Sequence, residues 1–154
     1  MPVELTYDNI LKWMKEYFQA YNAYAQNPDT VARMCDYFAP DLEFFPYTAQ
    51  LEHIHTTNRD DFLRVLTGHP PGYEAFTVED LVIDERQKCV VALLKAEIFD
   101  SKTDELLLAK RYLVHYRLVL DENDTIKIQK ILFFWEVLPP GVLDVRDLFE
   151  GVRK

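Results

Sequence analysis

Four long apolar segments in the second half of the chain constrain the fold more than any other feature. Each is rich in Val, Ile, Leu, Phe and Tyr, and they cover residues 73–86, 88–99, 106–120 and 125–138. The turn-like stretches between them are short, and connections this short join antiparallel neighbours. Because these strands exceed the usual length of about five or six residues, they should twist and curl. We therefore expect a strongly curved antiparallel sheet.

The first half of the chain predicts helices that cover one face of this sheet. In residues 7–26, apolar side chains recur at three- and four-residue spacing, which is typical of an amphipathic helix. A second helix is predicted after Pro28, with Val31, Met34, Cys35 and Phe38 on one face, ending before Pro40. A third covers residues 59–67.

Shorter segments complete the predicted domain. Residues 42–48 have an extended pattern, and residues 50–56 could return as a short hairpin arm. Residues 142–152 place apolar side chains on one side of a C-terminal helix. The whole pattern predicts a single α+β domain over residues 1–154, a cone-shaped curved antiparallel sheet backed by helices, with an internal pocket.

The charge and the cysteine content exclude several classes of function. The formal net charge is −9, and an acidic protein repels phosphate backbones and anionic lipid, so we expect neither nucleic-acid nor membrane binding. The N-terminus lacks the basic and apolar pattern of a signal peptide. Cys35 and Cys89 lie in apolar segments and are expected to be reduced and buried, as in a cytoplasmic protein.

Alternation along the strands predicts which side chains face the interior. The charged positions Lys95, Arg111, His115 and Arg117 share one face, which we expect to be the outer one. The opposite face holds Ala92, Ala96, Tyr112, Val114, Tyr116, Phe133 and Trp135. Small alanines opposite large tyrosines indicate a cavity, although the tyrosines could instead be core residues with hydroxyls bonded to the backbone.

The order of elements resembles the nuclear-transport-factor-2-like superfamily, which includes SnoaL-like cyclases, ketosteroid isomerase and scytalone dehydratase. The resemblance covers roughly residues 8–138 and depends on three segments: EYFQAYNAY, ARMCDYFAPDLEF and KIQKILFFWEV. It implies a cone whose concave face forms a deep pocket. The segment around Asp147 also resembles the C-terminal part of scytalone dehydratase, which covers that enzyme's pocket.

The catalytic groups of the isomerase transfer only in part. The resemblance places its oxyanion-hole tyrosine at Tyr17, its general-base aspartate at or beside Pro46, and its protonated aspartate near Val114. Two of the three groups are therefore missing, and the dienol chemistry of the isomerase is not supported. A family pattern with an arginine in the second helix falls on Arg33.

The candidate catalytic residues are those that could move a proton or stabilise an oxyanion in a dry cone. Tyr residues could donate to a carbonyl oxygen, Arg33 could stabilise negative charge, and Glu136 could move the proton if a bulge turned it inward. Arg33 could equally be a surface charge, and Glu136 a rim residue in a salt bridge. The catalytic set is Tyr112, Tyr116, Glu136, Arg33 and Tyr17, and the substrate-binding set is Trp135, Phe133, Tyr47, His53 and Val114.

These residues predict an enzyme that isomerises, cyclises or dehydrates a hydrophobic small molecule, which by resemblance would belong to natural-product biosynthesis. We expect no cofactor and no metal, because His53 and His55 lack a third ligand at suitable spacing. The alternative is a domain that binds a small molecule or a protein without catalysis. Leu113 and Leu132 among the outer charges also predict a homodimer formed back to back.

Overall fold

The computed structural model describes residues 4–27, 30–46, 55–67 and 72–134, and these form an α+β domain as predicted. The helices are α1 (Tyr7–Gln26), α2 (Val31–Cys35) and α3 (Arg59–Thr67). The strands are β1 (Phe38–Pro46), β2 (Gly72–Asp84), β3 (Cys89–Asp100), β4 (Leu106–Leu120) and β5 (Ile126–Phe134). They form one sheet in the order β1-β5-β4-β3-β2. The predicted C-terminal helix over residues 142–152 lies outside the described residues.

Strands β2 to β5 are antiparallel to one another as predicted, whereas β1 joins the edge parallel to β5. The second helix is shorter than predicted, because Phe38 belongs to β1 and pairs with Ile128. Phe38 is fully buried, so its place in the core outweighs the helical pattern of its neighbours. Most of the predicted hairpin arm at 50–56 lies outside the described residues, but Thr56 forms an antiparallel bridge with Phe44.

Helix α1 lies across the sheet, begins at a capping residue and is joined to the sheet near its C-terminal end. Its N-cap is Thr6, whose hydroxyl accepts a hydrogen bond from the Asn9 backbone at 3.3 Å. Near its other end, the Asn22 amide donates to the Phe76 carbonyl at 2.9 Å and accepts from the Phe76 amide at 2.8 Å. Because β2 is an edge strand, its outer backbone groups have no adjacent strand to bond. The Asn22 side chain takes the place of such a strand at Phe76. None of the helices in the described ranges is long and apolar enough to cross a membrane.

The register between β3 and β4 confirms the predicted faces. Val90 pairs with Tyr116, Ala92 with Val114 and Leu94 with Tyr112, and all six side chains are buried. On the other face Arg111 and Arg117 are exposed, and Lys95 and His115 are half-buried. Phe133 is half-buried and packs against the core, while Trp135 lies outside the described residues.

A bulge in β2 changes which of its side chains face inward. The pairing with β3 shifts between Val78 and Asp80, so that Phe76 lies opposite Ala96 while Leu81 lies opposite Ala92. Glu79, the residue at the shift, accepts two hydrogen bonds from the Arg111 guanidinium at 2.8 and 3.3 Å. The inner set of β2 therefore runs on even numbers before the bulge and on odd numbers after it.

Two leucines on adjacent strands test this assignment of faces. Leu94 is 0% exposed on the inner face, and Leu113 is 47% exposed on the outer face. We expect Leu94→Ala to lower the free energy of unfolding by about 2 to 5 kcal/mol, because it leaves a cavity. In the single chain, Leu113→Ala should change it by only about 0.5 kcal/mol. Urea unfolding at matched protein concentration would measure both, and equal losses would contradict the assignment.

Candidate functional site

A carboxylate on the inner face of the sheet joins two tyrosines from different elements. The Tyr21 hydroxyl in α1 donates to Oε1 of Glu74 in β2 at 3.1 Å. The Tyr112 hydroxyl in β4 donates to Oε2 of the same carboxylate at 3.0 Å. Glu74 is half-buried, while both tyrosines are buried. A helix and two strands thus converge on one acidic group.

Ring packing against Phe76 fixes the positions of both hydroxyls. Phe76 lies two residues after Glu74 on the same face of β2, and the Tyr21 ring stacks on it with centroids 4.6 Å apart. The Tyr112 ring meets Phe76 edge-on at 6.0 Å and packs against Phe133 at 4.7 Å. Aromatic contacts of this kind hold a ring in one orientation, so the two hydroxyls are aimed at Glu74 before any ligand arrives.

A second pair of tyrosines lies deeper in the same interior. Tyr17 is one helical turn before Tyr21, and Tyr116 is two inner positions beyond Tyr112 on β4. Their rings meet edge-on at 5.9 Å. Both are almost fully buried, at 3% and 2% exposure. We call Glu74 and the tyrosines 17, 21, 112 and 116 the tyrosine–glutamate cluster.

Burial and negative charge keep these hydroxyls protonated. Desolvation is the largest cause of the raised pKa of all four tyrosines. The charge of Glu74 raises each pKa further. For Tyr17, the neighbouring Tyr116 hydroxyl offsets part of this rise in pKa. At neutral pH the cluster therefore offers hydrogen-bond donors around a carboxyl group.

The structure brings together some of the predicted site residues and not others. Tyr17, Tyr112 and Tyr116 belong to the cluster, with Val114 buried between the two strand tyrosines and Phe133 against Tyr112. Arg33 is exposed on α2, whose buried residue is Met34, so it is not part of this group. The predicted residues Glu136, Trp135, Tyr47 and His53 lie outside the described residues.

Two members of the cluster were not predicted as site residues. Tyr21 could have been found from its spacing, because it lies four residues after Tyr17 on one helix face. Strand alternation places Glu74 on the inner face only if it is applied from Phe76, which lies on the same side of the bulge. Alternation applied from Leu81 or Ile83, beyond the bulge, places Glu74 on the outer face. The resemblance placed the isomerase base at or beside Pro46, which is buried at the end of β1. In this chain a carboxylate reaches the interior from β2 instead.

The described residues do not bring three or more His, Cys, Asp or Glu side chains together in a group that could bind a metal ion. His55, one of the two closely spaced histidines of the sequence, is half-buried with Nε2 3.3 Å from the Pro46 carbonyl oxygen.

Comparison with solved structures identifies the fold. ActVI-ORFA from Streptomyces coelicolor has a TM-score of 0.62 at 13% identity and covers 82% of this chain and 94% of its own. A nuclear-transport-factor-2-like protein of unknown function from Burkholderia pseudomallei has a TM-score of 0.60 at 8% identity, covering 91% and 94%. A candidate SnoaL-like polyketide cyclase from Mesorhizobium loti has a TM-score of 0.51 at 11% identity, covering 79% and 98%.

These likenesses confirm the nuclear-transport-factor-2-like fold expected from the sequence. At such low identity they show the fold and leave the chemistry to be argued from the site. No family model matches the chain, and no curated protein matches it.

The raised pKa values predict how stability falls in alkali. An unfolded tyrosine has a pKa of about 10, so the stability due to these groups is complete below that pH. It is lost as the pH rises from about 10 toward the folded-state values, because only the unfolded chain then releases the protons. The midpoint of urea unfolding should therefore be lower at about pH 11 than at about pH 8 in the wild type. This decrease should be smaller in Tyr17→Phe or Tyr116→Phe, because each variant lacks one of the titrating hydroxyls.

A core change that removes no hydroxyl provides the control. Phe18, whose ring is 6.1 Å from that of Tyr116, can be replaced by Leu. Phe18→Leu should lower stability by a similar amount at both pH values. If the tyrosine variants also kept the full wild-type difference between the two pH values, the raised pKa values would be wrong.

Proposed function

We propose that this chain, which has the nuclear-transport-factor-2-like fold, is a cofactor-independent isomerase, cyclase or dehydratase of a hydrophobic small molecule. The observation that supports this proposal is the contact of Glu74 with the hydroxyls of Tyr21 and Tyr112 on the inner face of the sheet. A positioned carboxylate can move protons, and positioned hydroxyls can stabilise the charge that develops. Isomerisation, cyclisation and dehydration of such a molecule by acid–base chemistry all need both.

Each part of the cluster has a distinct role in this proposal. Glu74 takes a proton from the substrate and returns it at another atom, and general acid–base catalysis of this kind contributes about 100- to 10,000-fold. The hydrogen bonds from Tyr21 and Tyr112 hold the Glu74 carboxylate in one orientation. Tyr17 and Tyr116 add two protonated hydroxyls, which can donate to a substrate oxygen as it becomes negative.

The fold neighbours support the choice of substrate class by analogy. A candidate polyketide cyclase and ActVI-ORFA share this fold, and we propose a role in secondary metabolism in the cytoplasm. A second candidate function is binding without catalysis. It is favoured by another neighbour, a computationally designed binder of 17-OHP, with a TM-score of 0.59 at 13% identity.

Deuterium exchange distinguishes catalysis from binding without knowledge of the natural substrate. The protein would be incubated in D₂O with a panel of polycyclic ketones, and uptake of deuterium next to the carbonyl would be followed by mass spectrometry. We expect Glu74→Gln and Tyr112→Phe to slow this exchange by about 100- to 1000-fold. Loss of a hydroxyl that only packs should instead lower stability by about 1 kcal/mol and leave exchange unchanged.

The matched control is a tyrosine that also donates to a carboxylate but outside the cluster. The Tyr73 hydroxyl donates to Asp104 at 2.9 Å in an exposed position, so Tyr73→Phe should keep the wild-type exchange rate. Ligands that bind the wild type without any enhanced exchange would support the binding domain. Equal rates in wild type and Glu74→Gln would contradict the catalytic role of Glu74.

We also propose that the outer face of the sheet binds a second copy of the chain. One row across all five strands is largely apolar and consists of Val82, Val91, His115, Leu132 and Phe45. Leu113 lies in the next row and is exposed. The ion pairs Arg111–Glu79 and Lys130–Glu43 neutralise charge around these rows. Two copies can therefore meet here despite the net charge of −9.

Light scattering coupled to size exclusion tests this association. We expect twice the chain mass of 18.2 kDa at micromolar concentration. Leu113→Asp should give the single-chain mass, because a carboxylate would be desolvated in the interface. Leu106→Asp, at an exposed leucine at the start of β4, is the control and should remain dimeric. A wild-type mass of 18.2 kDa would contradict the proposal.

A further inference from the structure

We infer that Ala96 is a positioning residue of the candidate site, because its small side chain leaves the space through which Tyr112 reaches Glu74. This inference rests on the proposed function, since it names a further residue on which the same reaction depends. Ala96 lies in β3 and is fully buried. A methyl group can neither move a proton nor donate a hydrogen bond, so it acts only through the space that it leaves to its neighbours.

The strand register places Ala96 midway between the two groups that meet. Tyr112 in β4 pairs with Leu94 of β3. Glu74 in β2, on the other side of β3, pairs with Ile98. Ala96 is the residue halfway between these two partners and has the same facing. At ordinary strand spacings, the Cα atoms of Tyr112 and Glu74 are about 16 Å apart, along a diagonal that crosses Ala96.

The side chains of Tyr112 and Glu74 meet above this alanine. The Tyr112 hydroxyl is 3.0 Å from Oε2 of Glu74, so the two side chains extend toward each other from the ends of the diagonal. The Tyr112 ring also meets Phe76 edge-on at 6.0 Å, and Phe76 pairs directly with Ala96. Aromatic side chains can reach diagonal neighbours across a sheet. Here the ring does so over a β3 position that carries only a methyl group.

A larger side chain at this position would separate the hydroxyl from the carboxylate. Protein interiors are packed as densely as organic crystals, so two further methyl groups beneath the Tyr112 ring would have to displace it. Valine is favoured in strands, and Val90 already occupies a buried inner position of β3. Ala96→Val should therefore keep the strand in place and move the ring, which makes it a selective test of the space above Ala96.

The titration of Tyr112 reports the position of its hydroxyl without any ligand. Burial raises the pKa of Tyr112, and the charge of Glu74 and the hydrogen bond to it raise this pKa further. Separation of the hydroxyl from Glu74 removes part of that rise. We expect one tyrosine to titrate at a lower pH in Ala96→Val than in the wild type, as measured by the ultraviolet absorbance of tyrosinate. The double variant Ala96→Val/Tyr112→Phe should lack this step, which assigns it to Tyr112.

Matched variants show whether the effect belongs to side-chain size at this position. Ala96→Gly leaves the space open and should titrate like the wild type. Ala39 is a buried alanine on β1, which β5 and β4 separate from β3, so Ala39→Val adds the same methyl groups elsewhere and should also titrate like the wild type. Ala96→Cys adds a single sulfur atom and replaces Ala96→Val if that variant does not fold. An unchanged titration at position 96, or the same shift in Ala39→Val, would overturn the inference.

Deuterium exchange measures the consequence for the reaction. Ala96→Val should slow exchange by about 100- to 1000-fold, as Tyr112→Phe does, because both remove the same hydrogen bond from the carboxylate. Adding Ala96→Val to Tyr112→Phe should cause no further loss, since a residue that acts only through Tyr112 has no effect once that hydroxyl is gone. Ala39→Val should exchange at the wild-type rate. A further loss in the double variant would overturn the inference.

The outcome is separable from that of the proposed function. A lower titration of Tyr112 in Ala96→Val, with no enhanced exchange in the wild type, would contradict the enzyme and support the position assigned to Tyr112. Enhanced exchange in the wild type that Ala96→Val leaves unchanged would instead support the enzyme and overturn the inference. Circular dichroism of each variant at each pH would confirm that a changed titration does not reflect unfolding.

Discussion

The bulge in β2 is the constraint on which the candidate site depends. Leu81 and Ile83 must face the interior to pack against the core, and without a bulge their parity would turn Glu74 and Phe76 to the outer face. The extra residue places both pairs on the inner face. Arg111 holds the bulged Glu79 from outside, and Asn22 holds the Phe76 backbone from within. The bulge thus allows Leu81 and Ile83 to pack against the core and also places the Glu74 carboxylate on the inner face.

The sequence predicted the central strands correctly because their two faces differ strongly in polarity. In β4, Tyr112, Val114 and Tyr116 alternate with Arg111 and Arg117, and only one register buries the first set. Strand β2 has no such contrast, since its even positions hold acidic residues (Glu74, Asp80 and Asp84) and apolar ones (Phe76, Val78 and Val82) alike. Only the pairing of β2 with β3 shows which of its side chains face the interior. A β-bulge has no reliable signature in a single sequence.

Arg33 was predicted as a charged group of the site, whereas Glu74, the carboxylate of the tyrosine–glutamate cluster, was not. Arg33 was chosen from a family pattern, but α2 has a single buried residue, Met34, and the adjacent position on so short a helix faces solvent. Tyr17, by contrast, was chosen from both the resemblance and the buried face of α1, and it is in the cluster. Side-chain periodicity on a long element predicts position better than a residue type carried over from a distant family.

A structural explanation of the tyrosine–glutamate cluster is that it fastens α1 to the sheet. The Tyr21–Glu74 bond does join α1 to β2. However, Asn22 makes two hydrogen bonds to the β2 backbone from the adjacent residue, so the helix is already fastened at that point. Replacing both partners of a buried polar contact by apolar groups of similar shape is often neutral or stabilising. A chain selected only for packing could therefore keep Phe in place of Tyr21 and Tyr112 and an apolar residue in place of Glu74. That polar groups remain there, fully protonated in the tyrosines and aimed at one carboxylate, is better explained by a ligand that uses them.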